Sequence, residues 1–261
     1  MSQKSKTGSQ AVVRALRLLK LFNDGHTQLT VAEAVTATGL NRTTAFRLLS
    51  TLESEGFLER FTNGAYGLGP ELMALGGYAV RHNNLVQAAH PILVDLVADA
   101  GERATMEILS TSSSGLPSML VVDEIHSGHR LSVRDFVGNH LPIHATSTGK
   151  ALLAFMEPSQ RDELLAHPLT QLTANTHINA AKLAAELEKI CEQGYATAIE
   201  ELEEGLIAMA APIFNAHGRP IASICLVGPS IRVTPDRIDE LVKKLKSASQ
   251  QISAKIGYRH V

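Results

Sequence analysis

The front of the chain has helical hydrophobic spacing. From Ser9 to Phe22, apolar residues recur at Val12, Val13, Leu16, Leu19 and Phe22, with Arg14, Arg17 and Lys20 on the opposite face. This predicts an amphipathic helix that ends near Asn23-Asp24-Gly25. Thr30-Val31-Ala32-Glu33 has the form of a capping box and predicts a short helix through Ala37. Gly39 breaks that helix just before Asn41, a good N-cap. Between Asn41 and Gly56, Ala45, Leu48, Leu49 and Leu52 form one apolar stripe. A second face carries Thr43, Arg47, Ser50, Thr51 and Ser54: hydroxyls and arginine, with no acid. A solvated helix face normally mixes both charge signs, so this one suits a polyanion.

Leu58-Glu59-Arg60-Phe61 and Ala65-Tyr66-Gly67-Leu68 flank Asn63-Gly64, which predicts a hairpin closed by a type I′ turn. A short helix, a tight turn, a longer helix and then a hairpin make a winged helix-turn-helix. The major groove admits one helix, whose N-terminal side chains reach base edges. Arg42, Thr43, Thr44 and Arg47 are therefore the candidates for base and nearby phosphate contacts, with Asn41 and Ser50 beside them on the same helix. Thr30 and the wing from Arg60 to Asn63 are candidates for phosphates, which position a protein without reading sequence.

Pro70 suits the first turn of a helix, and Leu72, Leu75 and Ala79 form a modest stripe behind it. This predicts a linker helix over 70–83, between a DNA-binding domain at 1–69 and a second domain at 84–261. One reading helix covers only a half-site, so a dimer or tetramer is expected. In the second domain Leu85–Ala100 reads as a helix containing Pro91. Strand-like runs follow at Ala104–Leu109, Met119–Ile125, Leu131–Val133, Ala196–Ile199, Ile207–Phe214 and Ile221–Val227. Helical runs lie at Gly149–Phe155, Ala180–Gln193 and Pro235–Ile256. Strands clustered with helices around them predict an α+β fold.

Composition adds limits. At 261 residues and 44% hydrophobic, the chain suffices for one or two folded domains. No apolar run approaches the ~20 residues of a membrane span, and Met1 to Gly8 is polar, unlike a signal peptide. Cys191 and Cys225 stand alone, which suggests a cytoplasmic protein without structural zinc. Residues 1–83 carry nine Lys/Arg against six acids, and the remainder carries fifteen against twenty. A basic front and an acidic back fit a nucleic-acid module joined to something else.

Thr146-Ser147-Thr148-Gly149 opens an apolar helix and points free backbone amides at one spot, a ready anion site. It is no Walker loop, since His144 stands where that motif needs Gly. His126-Ser127-Gly128-His129 resembles a metal pair but lacks completing ligands and reads as a polar hairpin tip. Glu200, Glu201, Glu203 and Glu204, followed by Gly205, read as a solvated turn. No set of nucleophile, base and orienter assembles, so neither an enzyme nor a cofactor is expected. The competing readings are a small-molecule enzyme with an N-terminal interaction module, and a sensor whose winged helix binds protein.

The chain resembles the IclR family of bacterial transcription regulators over nearly its whole length. The resemblance rests on Val12–Phe22, Asn41–Leu52 with Gly56-Phe57-Leu58, the wing to Gly67-Leu68-Gly69, and Leu141–Ala151. It continues in Glu200-Glu201 with Gly205, Ala210-Ala211-Pro212-Ile213 and Gly228-Pro229. It implies a winged helix-turn-helix, a linker helix and a GAF-like effector domain, in dimers or tetramers whose operator occupancy responds to a small metabolite. By that resemblance, Ser147 and Thr148 align with the turn whose amides hold a 2-oxo acid carboxylate. The family's Asp, Cys and two Ser fall at positions that here are Ala198, Ala208, Cys225 and Val227. With Val133, Leu141 and Leu206, these residues would line a pocket that keeps its anion end but has lost most polar side chains. An unpaired polar group on glyoxylate or pyruvate would cost about 1–3 kcal/mol there, whereas apolar area gains ~25 cal/mol per Å² on burial. The expected protein is a repressor or activator of a catabolic operon, with an apolar or aromatic organic acid as effector.

Overall fold

A computed structural model describes residues 9–22, 26–112, 114–129 and 136–259. The polar start at 1–8, the helix stop at 23–25, the run Leu131–Val133 and the pocket candidate Val133 lie outside the described residues. The chain divides into two compact units, Met1–His82 and Asn83–Val261.

In the first unit, α1 (Gln10–Leu19) runs into a 3-10 turn, Lys20–Phe22. It is followed by α2 (Val31–Thr38) and α3 (Arg42–Ser54), then β1 (Leu58–Arg60), β2 (Tyr66–Leu68) and α4 (Pro70–Arg81). The capping box closes in both directions: the Glu33 amide donates to Thr30 Oγ1 at 3.2 Å and the Thr30 amide to Glu33 Oε2 at 2.7 Å. Gly39 ends α2 in the left-handed region at φ 68°, which glycine adopts without steric cost. Asn41 Oδ1 then accepts from the Thr44 amide at 2.8 Å and starts α3. Leu18, Leu29, Ala34, Leu49, Leu58 and Tyr66 form the core beneath these elements. Leu29 and Tyr66 exchange both backbone hydrogen bonds, adding a third edge to the hairpin.

The stripe on α1 meets this core at its C-terminal end: Leu19 and Phe22 pack against it beside the buried Leu18, while Val12 and Leu16 stay 56% and 53% exposed. The wing turn is not type I′, which needs φ > 0 at both central residues. Gly64 is at φ 82° and Asn63 is not in that region. Phe61 N donates to Ala65 O at 2.8 Å and Gly64 N to Phe61 O at 2.9 Å, so the loop has three residues with glycine in the left-handed position. Asn63 Oδ1 accepts from the Ala65 amide at 3.0 Å and secures it.

The second unit begins with α5 (Asn84–Ala100), β3 (Arg103–Thr111), β4 (Pro117–Ile125) and β5 (His140–Pro142). Next come α6 (Ser147–Ala154), α7 (Pro158–Leu165) and α8 (Ala180–Gln193). β6 (Ala196–Ile199), β7 (Leu206–Phe214), β8 (Pro220–Pro229) and α9 (Pro235–Lys255) complete it. The strands form one antiparallel sheet in the order β5-β4-β3-β8-β7-β6. Alternation along the central strands divides the core. Met106, Met209, Ile224 and Leu226 pack with α5 and α9, whereas Ala210, Cys225 and Val227 pack with α6 and α8. Sequence patterning missed β5, which is too short to alternate, and α7, which has no apolar stripe and no buried residue.

All eight residues of α6 are buried. Gly149 permits this, because a Cβ there would lie 2.0 Å from Ile143 O. Lys150 Nζ, fully enclosed, reaches Glu186 Oε1 at 2.6 Å and Glu201 Oε1 at 2.7 Å. The acid run is therefore not a solvated turn throughout. Glu201 is buried, and its carbonyl accepts from Thr176 Oγ1 at 2.7 Å. Thr173 Oγ1 likewise donates to Glu200 O at 2.6 Å, fixing the run to the body of the domain.

Breaking a buried ion pair from one side leaves an uncompensated charge. Lys150→Met is expected to cost about 3–5 kcal/mol in urea unfolding at pH 7.5. Burial already pushes the Glu201 carboxyl up, against the pull of Lys150, so the loss should shrink as pH falls and Glu201 is protonated. Adding Glu201→Gln should restore more than half of it; a double variant no more stable than the single one would refute this cause.

Candidate functional site

The sheet face under α6 holds a narrow cavity. β3 contributes Thr105 and Glu107, β5 Leu141, β6 Ala198, β7 Leu206 and Ala208, and β8 Cys225 and Val227. Ala145 to Thr148 close one end, Phe136 and Leu202 the rest. Eight residues singled out in the sequence thus line one cavity: Leu141, Ser147, Thr148, Ala198, Leu206, Ala208, Cys225 and Val227.

The closed end is built by the entry to α6. Thr146 Oγ1 donates to Pro142 O at 3.1 Å and accepts from the Gly149 amide at 3.1 Å. The amides of Ser147 and Thr148, in the first turn, have no carbonyl four residues back within the helix to accept from them. Amides at a helix start carry partial positive charge, and both residues line the cavity. Ser147 Oγ lies 3.6 Å from Cys225 Sγ. Burial, followed by the charge of Glu107, pushes the Cys225 thiol up to about 12, so it stays protonated.

Glu107 is the residue that sequence reasoning missed. Its carboxyl is buried in the cavity wall, where Oε1 accepts from Thr105 Oγ1 at 3.1 Å and Oε2 from Thr148 Oγ1. Burial pushes it up to about 7, while those two hydroxyls and the Arg103 charge pull it down. The signal was Arg103-Ala104-Thr105-Met106-Glu107, where polar and apolar residues alternate. Such a pattern normally marks a strand with one wet face, and here α6 covers that face.

On the first unit, Arg42, Thr43, Arg47 and Thr51 are exposed on α3, with Thr44 and Ser50 half-buried beside them. Asn41 and Thr30 are committed to the caps of α3 and α2. In the wing, Arg60 lies over the Tyr66 ring at 5.6 Å, and Asn63 Nδ2 donates to Gln28 Oε1 at 3.3 Å. Among the described residues no His, Cys, Asp and Glu gather into a metal site. No described helix is long and apolar enough to cross a membrane.

Residues 11–60 match the IclR helix-turn-helix domain model and residues 77–254 match the C-terminal domain model of bacterial IclR transcriptional regulators. The transcriptional repressor IclR of Escherichia coli is 29% identical, over 95% of this chain and 90% of that protein. The transcriptional regulator KipR of Bacillus subtilis is 30% identical, over 99% of this chain and all of that protein. Among solved structures, an IclR transcriptional regulator from Alicyclobacillus acidocaldarius superposes with a TM-score of 0.87 at 26% identity, covering 96% of this chain and 100% of that one. An IclR homologue from Microbacterium hydrocarbonoxydans complexed with 4-hydroxybenzoate gives 0.79 at 26% identity, covering 94% and 98%. The chain belongs to the IclR family: it is a ligand-responsive transcriptional regulator with a helix-turn-helix DNA-binding domain followed by the family's C-terminal domain.

Proposed function

We propose that this regulator controls a catabolic operon in response to an apolar or aromatic carboxylic acid held in the cavity under α6. The composition of that cavity carries the reading. Leu141, Ala198, Leu202, Leu206, Ala208 and Val227 offer no hydrogen-bonding side chain, whereas the α6 end offers amides and hydroxyls. A ligand with one carboxylate and an apolar body matches both ends. A small 2-oxo acid would leave its carbonyl facing hydrocarbon. A neighbour of similar fold that binds 4-hydroxybenzoate supports the same ligand class.

On DNA, α3 enters the major groove. Arg42, Thr43, Thr44 and Arg47 meet base edges and adjacent phosphates, with Ser50 alongside; arginine grips guanine O6 and N7 with two bonds, and threonine pairs with either base type. Asn41, Thr30, Arg60 and Asn63 approach the phosphate backbone. The protein acts as a dimer or tetramer. In support, Val12 and Leu16 on α1, and Met73 and Tyr78 on α4, are more than half exposed in the single chain, an apolar area that a second copy would cover. Effector binding changes operator occupancy only to the extent that the acid binds the two states of the oligomer differently.

Arg47→Ala is expected to weaken specific operator binding by about 1–3 kcal/mol and to relax the base preference at one position. A gel-shift titration against operator variants measures this, and an unchanged affinity removes Arg47 from the interface. Binding should also weaken steeply with salt as counterions are released.

For the effector, a thermal-shift series compares benzoate-type acids with glyoxylate and pyruvate. At 100 times its dissociation constant a bound acid stabilises the fold by about 2.7 kcal/mol. The aromatic acids alone should raise the melting temperature. A response to glyoxylate or pyruvate alone would refute the apolar-pocket reading.

A further inference from the structure

The acid reading of the cavity leaves one group unexplained, the Glu107 carboxyl. It is buried in the cavity wall, where it accepts hydrogen bonds from the Thr105 and Thr148 hydroxyls. Thr148 belongs to both features: its hydroxyl reaches Glu107, while its amide belongs to the open first turn of α6. A carboxylate seated on those amides therefore sits beside Glu107. Two carboxylates side by side in a poorly solvated site cannot both be ionised.

The surrounding charges are already engaged. On β3, Arg103 is ion-paired with Glu124 of β4 and stacked 4.6 Å over the Phe136 ring. Also on β4, Asp123 meets His90 of α5 at 2.9 Å. On α6, Lys150 is held by Glu186 and Glu201. On β5, His140 Nδ1 contacts Ser118 Oγ at 2.8 Å, and in the turn that follows the buried His144 donates through Nε2 to Thr170 O at 2.9 Å. Cys225 on β8 keeps its proton, and β6 and β7 bring only Ala198, Leu206 and Ala208 to the cavity.

Resting on the acid reading above, we propose that Glu107 is the pocket's proton-holding group, so that an acid effector is bound together with one proton. The ligand enters as a carboxylate and is seated on the Ser147 and Thr148 amides. A proton from solvent resides on Glu107, whose O–H donates to a ligand carboxylate oxygen. Total charge balances: anion and proton enter together, and the occupied site holds one negative charge shared by two carboxyl groups. Glu107 thereby selects against dianions, which would need a second proton, and makes occupancy respond to pH as well as to ligand. Since burial already holds this carboxyl at about 7 before any ligand arrives, uptake is expected above neutrality and fades below it.

The test is isothermal calorimetry of the full-length protein with benzoate, in paired buffers of different ionisation enthalpy, at pH 6 and pH 8.5. Benzylamine is titrated in parallel. The expected result is uptake of close to one proton at pH 8.5 and little at pH 6, with benzoate affinity roughly 30-fold weaker at pH 8.5. In Glu107→Gln both the uptake and the pH slope should vanish. Benzoate binding with equal affinity and no proton uptake at the two pH values would overturn the role of Glu107 while leaving the acid reading intact. Proton uptake that persists in Glu107→Gln would do the same. Binding of benzylamine but not benzoate would overturn both, and so would silence from every benzoate-type acid at either pH.

Discussion

Complete burial of α6 is the constraint from which the effector domain follows. A helix carrying Ser147, Thr148 and Lys150 cannot be enclosed unless each polar group finds a partner, because an unmatched one costs about 1–3 kcal/mol and a lone charge far more. Thr146 secures the entry, Thr148 turns its hydroxyl to Glu107, and Lys150 meets two carboxylates. Gly149 lets the helix lie directly against the Ile143 backbone. Of the first-turn amides, that of Gly149 is taken by Thr146, while Ser147 and Thr148 line the cavity.

The same logic explains how much of the molecule could be read from its sequence. The helix-turn-helix was legible because its signals are local: Thr30 with Glu33, Gly39, and Asn41 with Thr44 are contacts within four residues. The wing was legible as a hairpin but not in its turn. Asn-Gly suits both a two-residue and a three-residue loop, and packing decides between them. Here the Phe61 ring lies over Gly67, where a Cβ would come within 2.7 Å of it. The α1 stripe was legible as an apolar face, but amphipathicity does not say what covers it: Leu19 and Phe22 meet the core, whereas Val12 and Leu16 stay exposed.

In the effector domain the long strands and the capped helices carried enough pattern to be found, but Glu107 and Glu201 did not announce themselves. Alternation at Arg103, Thr105 and Glu107 describes a polar face; whether water or a helix meets that face is decided by chain more than forty residues away. Likewise the acid run at 200–204 looks uniformly solvated until Lys150 selects one of its members. Buried polar groups are matched over long sequence separations. A local reading assigns them to solvent by default.

The Lys150 ion pairs also bear on the cavity without entering it. Lys150 follows Ser147 and Thr148 on α6, and Glu201 immediately precedes Leu202, so the salt bridge joins two segments that line the cavity. Their spacing is therefore held by a charge pair whose own residues are absent from the cavity lining. Side chains facing the cavity can be exchanged, altering which acids fit, while the frame that holds them apart stays the same size. The lining of the cavity and the frame that holds it thus reside in different residues, and they can diverge independently.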